Sequence, residues 1–313
     1  MQPYVRFFTQ SDKDAMTKDF SDGEDFISPD VVQKVVDSIC EDGGANTPVK
    51  QVILSGLGEP LLNKYLEDII RIIKKSKVAD NLAVITNGTL LNEHVGQRLV
   101  EAGLDEVRIS VNGLTSEDYK NNTNRNVDFE KLVQGIKRFR RETQGTIRMY
   151  IKIIDYMVRD DTEKTRFRSI FTPLADEVKI EHLVKVSPYI DFDGISQNSS
   201  YSVMQKADSH IVNAKICPRS FYEAVVRTSG DVTTCCYGTW SRDRELVMGN
   251  IRDSSFIEIW NSRTWNAFRL KHLREKEKPA VCQKCGLWIQ NIYPEDVLDG
   301  DSERLIKLYE EYI

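Results

Sequence analysis

The sequence lacks any long apolar stretch. Across its 313 residues, no run approaches the roughly 18 apolar residues that a membrane-spanning helix needs. The first residues also lack the basic and apolar regions of a secretory signal peptide. These absences predict a cytoplasmic protein with no membrane partner.

An excess of positive charge is also absent. The chain has 43 Lys and Arg residues against 48 Asp and Glu residues, which gives a formal net charge of -5 at pH 7. A protein that binds nucleic acid irrespective of sequence presents a basic surface to the phosphates. The most basic local run, at 138–141, is interpreted as the solvated face of a helix. We therefore expect no nucleic-acid partner.

Histidine is scarce, and its placement does not suggest a metal site. The four histidines are His94, His182, His210 and His272. No two of them have the short spacing of paired metal ligands. We interpret them as structural or surface residues, with His182 alone expected at the end of a strand.

Cysteine is rare in the first two thirds of the chain and concentrated afterwards. Five of the six cysteines are Cys217, Cys235, Cys236, Cys282 and Cys285. In a reducing cytoplasm such a cluster indicates metal ligands more than disulfides. Thiolates from separated segments, one of them a Cys-x-x-Cys, suit an iron-sulfur cluster or a structural zinc ion. The adjacent pair supplies one ligand at most, because consecutive strand side chains point to opposite faces.

A repeated pattern predicts the fold of the first part of the chain. Short apolar runs lead through glycine-containing turns into amphipathic helices, and the predicted strands are 51–55, 82–85, 106–111, 147–156 and 177–181. Strands alternating with helices indicate right-handed crossovers and a parallel sheet covered by helices. The polar opening before the helix at Pro29 is read as irregular. Ligands of such sheets bind at the carboxyl ends of the strands.

The chain is long enough for one large domain with an appendage or for two modest domains. A polar, pattern-free stretch after residue 186 separates the predicted sheet from the cysteine-rich region, and a hairpin is predicted at 224–234. The predicted organisation is a barrel-like domain at 1–186, a linker at 187–213, a cysteine-rich domain at 214–292 and a tail helix at 293–313.

Three strand-end loops and the cysteine spacing resemble a known family. The loops are Gly58-Glu59-Pro60, Thr86-Asn87-Gly88 and Ser110-Val111-Asn112-Gly113. In order and spacing they resemble the radical S-adenosylmethionine (radical SAM) superfamily. The region from Cys217, with Gly230 five residues before Cys235, resembles its SPASM/twitch extension. The resemblance implies an α/β fold with a partial (β/α)6 TIM-type barrel and a small C-terminal cysteine-rich twitch/SPASM domain.

The same resemblance implies a set of site residues. The implied cofactor-binding residues are Gly58, Glu59, Asn87, Ser110, Asn112 and Lys152, and the implied ligands of an auxiliary 4Fe-4S cluster are Cys217, Cys235, Cys282 and Cys285. The loop at Gly58 and Glu59 would receive the ammonium of S-adenosylmethionine. Asn87, Ser110 and Asn112 would lie near its carboxylate and ribose, and Lys152 would face the same mouth. Zinc remains the alternative occupant of the cysteines, and Cys236 the alternative to Cys235.

One family motif is missing. The Cys-x-x-x-Cys-x-x-Cys that holds the SAM-cleaving cluster should follow the first strand, yet no cysteine precedes Cys40. Cys40 alone is read as a small buried hydrophobe. Either the first strand and its loop are missing or altered, or the chain has lost this chemistry. A second 4Fe-4S cluster is expected only if the full-length protein carries the motif.

Three functions remain open from the sequence. The first is a radical SAM enzyme that uses a 5'-deoxyadenosyl radical to modify a peptide or small molecule, with a reductant such as flavodoxin or ferredoxin. The second is a degenerate, non-catalytic scaffold that keeps one cluster or zinc ion. The third is a zinc-stabilised hydrolase, for which no convergent acid, base and nucleophile are visible. As written, the chain is not expected to cleave S-adenosylmethionine.

Overall fold

The computed structural model describes residues 4–8, 26–44, 48–56, 58–183, 214–236, 244–274, 278–283, 285 and 294–313. Its strands are β1 (Tyr4–Phe8), β2 (Val49–Ser55), β3 (Ala79–Thr86), β4 (Glu106–Val111), β5 (Arg148–Ile154), β6 (Glu177–Glu181), β7 (Glu223–Val226), β8 (Asp231–Thr233) and β9 (Val247–Asn250). Its α-helices are α1 (Pro29–Ile39), α2 (Leu66–Ser76), α3 (Val95–Ala102), α4 (Ser116–Thr123), α5 (Phe129–Thr143), α6 (Asp161–Phe171), α7 (Arg219–Tyr222), α8 (Phe256–Trp260), α9 (Arg263–Leu273), α10 (Ala280–Gln283) and α11 (Ser302–Glu310).

One sheet runs through the molecule. Its strand order is β6-β5-β4-β3-β2-β1-β7-β8-β9. Strands β1 to β6 are parallel, and β7 pairs with the free edge of β1, also in parallel. Strand β8 pairs antiparallel with β7, and β9 pairs antiparallel with β8. The expected α/β fold with a partial parallel barrel is confirmed. The cysteine-rich region continues the barrel sheet instead of forming a separate one.

Helix α1 shows how local sequence produces these elements. Ser28 caps the helix by accepting a hydrogen bond from the Val31 N–H at 3.4 Å, and Pro29 occupies the first turn, where its missing N–H has no cost. Val32 and Val35 are buried on one face. The helix ends at Ile39, and the backbone passes into a π-helical turn over Cys40–Gly44.

The interpretation of the opening as irregular was wrong. Residues 4–8 form β1, with Val5 and Phe7 buried on either side of the partly exposed Arg6. Val5 lies opposite Val52 on one side and Ala224 on the other. The first barrel strand is therefore present, which excludes its loss as the reason for the missing cysteines. The sequence signal for β1 was a run of only five residues, in which Arg6 separates the apolar Val5 and Phe7.

Other parts of the predicted organisation are not tested. The proposed linker at 187–213 lies outside the described residues, so the domain boundaries stay predictions. The expected hairpin is formed by β7 and β8, and the tail ends in α11. Within the described ranges, no helix combines the length and apolarity needed to cross a membrane.

A buried ion network joins β1 to the cysteine-rich region. Glu223, at the start of β7, accepts from the Arg6 Nε at 2.8 Å and pairs with Arg219 on α7. The Glu223 side chain is only 2% exposed. Burial alone would raise the pKa of Glu223, but the two guanidinium groups outweigh it and hold the pKa below its usual value.

Replacing Glu223 by Gln should strongly destabilise the fold. The substitution keeps the shape of the side chain but leaves the buried Arg219 guanidinium without its counter-charge. Breaking one side of a buried ion pair typically costs about 3–5 kcal/mol. Denaturant titration followed by circular dichroism measures the free energy of unfolding.

Glu67→Gln is the matched control, because Glu67 pairs at 2.9 Å with Arg98, which is 52% exposed. Its expected cost is below about 1 kcal/mol. The lowered pKa of Glu223 also sets a pH window. Its stabilisation is complete above the unfolded carboxyl pKa of about 4.3 and disappears as the pH falls through the lower folded value. Equal losses for both variants at pH 7 would contradict the assignment.

Candidate functional site

The predicted cofactor residues lie at the carboxyl edge of the sheet. The loop with Gly58 and Glu59 follows β2, Asn87 follows β3, Asn112 follows β4, and Lys152 is near the end of β5. These four strands are consecutive neighbours in the sheet and run parallel. Parallel strands end at the same edge, so the loops share one mouth. Their role as cofactor ligands stays a prediction.

Glu59 ties the first two loops together. Its Oε1 accepts from the Thr86 hydroxyl at 2.6 Å and from the Leu61 N–H at 3.1 Å, while Oε2 accepts from the Asn87 N–H at 2.8 Å. The side chain is buried, and burial raises its pKa although the three hydrogen bonds act in the opposite direction. A residue predicted to meet an ammonium thus also positions the neighbouring loop.

The β3 loop is held in a tight turn. The Asn87 Oδ1 accepts from the Thr89 N–H at 2.9 Å and from the Thr89 hydroxyl at 2.6 Å. Gly88 has φ of +77°, a left-handed conformation, and an added Cβ would come within 3.0 Å of Ile109. Glycine is therefore required here by both conformation and space. The half-buried Asn87 is fixed in orientation by these contacts.

The ends of β4 and β5 bring two further candidates together. Ser110 lies opposite Lys152 in the register of β4 and β5, so both side chains face the same side of the sheet. Helix α4 braces the loop after β4. The Asn112 N–H donates to the Tyr119 hydroxyl at 3.1 Å, and the Asn122 side-chain amide donates to the Asn112 carbonyl at 2.7 Å.

Lys152 is paired with a carboxylate on the next strand. Its Nζ donates to the Glu181 Oε2 at 2.7 Å, and the Tyr150 hydroxyl donates to the Glu181 Oε1 at 2.7 Å. Burial would raise the pKa of Glu181, but the Lys152 charge and these hydrogen bonds lower it overall. Glu181 is therefore an anion at neutral pH, and Lys152 reaches the mouth as part of an ion pair.

The concave face of the sheet encloses a cavity of about 420 Å³. Charged side chains of its lining are Arg6, Glu106, Arg108, Arg148, Lys152, Glu177, Lys179, Glu181, Arg219, Glu223 and Asp296. Sequence reasoning missed this lining apart from Lys152. The sequence did carry a signal for this lining, because charged or polar residues alternate with apolar residues along β4, β5 and β6. From the sequence alone, these segments were interpreted only as apolar runs.

His182, the histidine expected at the end of a strand, follows β6 directly and makes a polar contact at the same edge. The His182 Nδ1 lies 2.7 Å from the Asp155 Oδ2, and the Leu183 N–H donates to the other Asp155 oxygen at 3.0 Å. Asp155 is buried, whereas His182 is largely exposed. The contact orients the imidazole immediately after β6.

The cysteines of the C-terminal region lie near one another. Burial is the main cause that raises the pKa of Cys217, to about 12, and the charge of Cys285 adds to the rise. Burial likewise raises the pKa of Cys235, with smaller contributions from Cys236, Cys217 and Cys282. These mutual electrostatic effects indicate that cysteines from segments distant in sequence lie near one another. The ligand assignment itself stays a prediction.

The surroundings of these cysteines suit a sulfur-rich group. The Ser220 hydroxyl, on α7 just after Cys217, and the Thr234 hydroxyl, next to Cys235, are buried and have no hydrogen-bond partner among the described residues. Buried hydroxyls without acceptors are costly. The sulfurs of a cluster and of its cysteine thiolates would accept hydrogen bonds from these two hydroxyls, because hydrogen bonds to the sulfurs are a general feature of iron-sulfur sites.

A zinc ion and a 4Fe-4S cluster differ in the ligand spacing that they require. Zinc binds each thiolate at about 2.3 Å, so its ligands crowd around a point. A 4Fe-4S cluster puts several irons and sulfides between its ligands. In the part of the chain that the structure describes, no three His, Cys, Asp or Glu side chains are placed to hold one metal ion.

The SAM-cleaving cluster does not fit the residues of this chain. Its three thiolates belong on the loop after the first barrel strand, and that strand is β1. Residues 9–25 follow β1 and contain no cysteine. Cysteines before β1 would stand at the wrong end of the strand. No reaction step is therefore assigned to that cluster here.

Comparisons with known proteins match both halves of the chain. Residues 19–166 match a family model described as the radical SAM superfamily, and residues 217–286 match an iron-sulfur cluster-binding domain named SPASM. The two domains imply S-adenosylmethionine and 4Fe-4S clusters as cofactors. They do not favour the scaffold alternative, and members of this superfamily act on substrates and need a reductant.

Individual relatives cover different shares of the chain. A protein named "Probable GTP 3',8-cyclase" from Pyrococcus horikoshii is 37% identical over 117 residues, which is 37% of this chain and 34% of that protein. The chain thus matches about a third of that relative's length. A tungsten-containing aldehyde ferredoxin oxidoreductase cofactor-modifying protein from Pyrococcus furiosus is 24% identical over 266 residues, covering 74% of this chain and 72% of that protein.

Solved structures share the fold. SuiB of Streptococcus suis bound to its precursor peptide SuiA has a TM-score of 0.61 at 13% identity, with 92% of this chain and 70% of SuiB covered. The anSMEcpe structure with bound AdoMet has a TM-score of 0.58 at 13% identity and covers 99% and 100%. BtrN with AdoMet and 2-DOIA has a TM-score of 0.52 at 17% identity and covers 91% and 93%.

Single substitutions should separate the four ligand cysteines from the other two. After anaerobic reconstitution, the wild-type chain should hold about four irons, as for one 4Fe-4S cluster. Serine at Cys217, Cys235, Cys282 or Cys285 should lower the bound iron and the visible absorbance, because a ligand is lost. Elemental analysis and absorption spectroscopy measure both.

Cys40→Ser and Cys236→Ser are the matched controls and should retain the iron content of the wild type. Stoichiometric zinc in place of iron would refute the cluster. Full iron retention in the Cys217 variant would remove that residue from the ligand set.

Proposed function

Since the chain belongs to the radical SAM superfamily and carries its SPASM domain, we propose that it binds S-adenosylmethionine at the carboxyl ends of β2 to β5. It holds one auxiliary 4Fe-4S cluster at Cys217, Cys235, Cys282 and Cys285, and acts on a peptide or small molecule. The observation that carries this proposal is the shared mouth of consecutive parallel strands, in a sheet that β7 to β9 of the cysteine-rich region continue beyond β1.

Each part of S-adenosylmethionine has a chemically suitable neighbour in this arrangement. The methionyl ammonium needs acceptors and a negative charge, which the loop at Gly58 and Glu59 supplies. Its carboxylate and ribose need hydrogen-bonding groups, which Asn87, Ser110 and Asn112 offer. When reduced by a cluster, S-adenosylmethionine supplies the 5'-deoxyadenosyl radical that gives the superfamily its name.

The cavity is lined by residues of both the barrel strands and the cysteine-rich region. Lys152 lines the cavity on the barrel side, and Arg219 and Glu223 line it on the cysteine-rich side. The charge of Arg219 lowers the pKa of Cys217 against the dominant effect of burial, so this guanidinium lies close to that thiol. A substrate in the cavity would therefore touch residues of both regions.

The substrate and reductant are proposed only as classes. The named relatives and structures concern a GTP cyclase, a cofactor-modifying protein and a peptide-bound enzyme. These support modification of a small molecule or peptide, with an electron carrier such as flavodoxin or ferredoxin as reductant. The thiolates for SAM cleavage are not among the residues of this chain that follow β1. Alone, the chain should bind the cofactor without cleaving it.

Glu59→Gln should weaken S-adenosylmethionine binding by removing the counter-charge of the ammonium. We expect a loss of about tenfold or more in affinity, in line with the roughly 1.5–3 kcal/mol of a charged hydrogen bond. Isothermal titration calorimetry of the reconstituted chain measures the dissociation constant.

Thr86→Val is the matched control, because it removes a hydrogen bond to Glu59 and leaves the charge in place. Its loss of affinity should be smaller than that of Glu59→Gln. Equal losses would mean that Glu59 acts only by holding the loops. Absence of binding by the wild-type chain would overturn the proposed cofactor site.

The chain alone should form no 5'-deoxyadenosine from S-adenosylmethionine, even after iron-sulfur reconstitution. Four thiolates on the auxiliary cluster leave no open iron for the cofactor, and no thiolate trio follows β1. Anaerobic incubation with dithionite and chromatography of the products tests this expectation. Product above a control without protein would show that another set of residues holds a SAM-cleaving cluster.

A further inference from the structure

The cavity on the concave face of the sheet offers more free hydrogen-bond donors than free acceptors. It encloses about 420 Å³, and its polar lining comes mainly from β1, β4, β5, β6 and α7. That volume is within the range of about 300–1,000 Å³ typical of small-molecule sites. Which chemical class fits depends on the donors and acceptors that the protein has not already used.

The first carboxylate of the lining is saturated by protein donors. The Glu106 Oε1 accepts from the Arg108 Nε at 2.7 Å and from an Arg148 nitrogen at 3.2 Å, and Oε2 accepts from the Asn81 side-chain amide at 3.0 Å. Burial would raise the pKa of Glu106, but its arginine and asparagine partners lower it overall. Little capacity remains on this group to accept from a ligand.

Two other carboxylates of the lining are also engaged by protein donors. Glu181 accepts from Tyr150 and Lys152, one donor on each oxygen, and Glu223 is paired with two arginines. A cationic ligand would have to displace an existing ion pair to bind at these groups, although Asp296 also lines the cavity.

The donors, in contrast, exceed the acceptors. Lys152 has three ammonium protons. Among the described residues, its ammonium donates one hydrogen bond, to Glu181. Lys179 lines the cavity on β6 and has no ion pair or hydrogen bond with the described residues. Its charge contributes to the lowered pKa of Glu181, so it lies near the Lys152 pair.

We infer that this cavity binds a small anionic, acceptor-rich molecule, one that carries phosphate or carboxylate groups, with Lys179 and Lys152 as its charge partners. The inference rests on the proposed function, because it specifies the substrate class of the same site. The engagement of Glu106, Glu181 and Glu223 in ion pairs disfavours a cationic ligand at these groups. Strongly polar walls disfavour an apolar peptide side chain, which would leave the lining groups without hydrogen bonds.

Calorimetric titration of the reconstituted chain tests the inference with three probes: inorganic pyrophosphate, citrate and neutral myo-inositol. Pyrophosphate or citrate should bind. Tighter binding of pyrophosphate would indicate a ligand with phosphate groups, and tighter binding of citrate would indicate a ligand with carboxylate groups. Myo-inositol, which has hydroxyl groups and no charge, should not bind. Binding should weaken as salt is raised, because the attraction is between charges.

Lys179→Gln should weaken anion binding about tenfold, since it removes one charge partner without breaking an ion pair of the described residues. Lys75→Gln, an exposed lysine on α2 away from the cavity, is the matched control and should change nothing. The inference is overturned if neither pyrophosphate nor citrate binds. It is also overturned if the Lys179→Gln variant binds the anion as tightly as the wild type.

S-adenosylmethionine titrated into the same preparation separates the two proposals. Cofactor binding without anion binding refutes the substrate class and leaves the proposed function standing. Anion binding without cofactor binding supports the anion site and refutes the proposed cofactor site. Failure of both refutes both.

Discussion

The buried pairing of Glu223 with Arg6 and Arg219 is the interaction on which the rest of the structure depends. It fixes β7 beside β1, so that the cysteine-rich region continues the barrel sheet. A carboxylate that is 2% exposed cannot remain charged without such partners. The same pairing sets Arg219 at the junction, where it faces the cavity and lies close to Cys217.

From this junction, the site follows from the geometry of parallel strands. Consecutive strands β2 to β5 deliver their loops to one edge, and Glu59 then links two of these loops through Thr86 and the backbone of Asn87. A residue that the family resemblance assigns to the cofactor therefore also shapes the site in which the cofactor would bind. The fold and the recognition chemistry are coupled through one buried carboxylate.

The missing cysteine trio has a different meaning once β1 is identified. A chain without the first strand would suggest that a part of the barrel is absent. Here β1 lies between two strands and is paired along its length, and the loop after it has no thiol. The superfamily fold, the SPASM cysteines and the cavity are retained together. Cofactor and substrate binding can therefore be considered separately from radical formation.

The sequence by itself determined the features that depend on local spacing. Turn residues such as Asn87 and Gly88, and the Cys-x-x-Cys at Cys282, identified the loops of the sheet and the cysteine region. The tertiary structure decided what depends on distant contacts: the role of Arg6, 217 residues from Glu223, and the donors that saturate the cavity carboxylates. Such pairs arise only when strands far apart in sequence become neighbours, and no local pattern records which strand lies beside which.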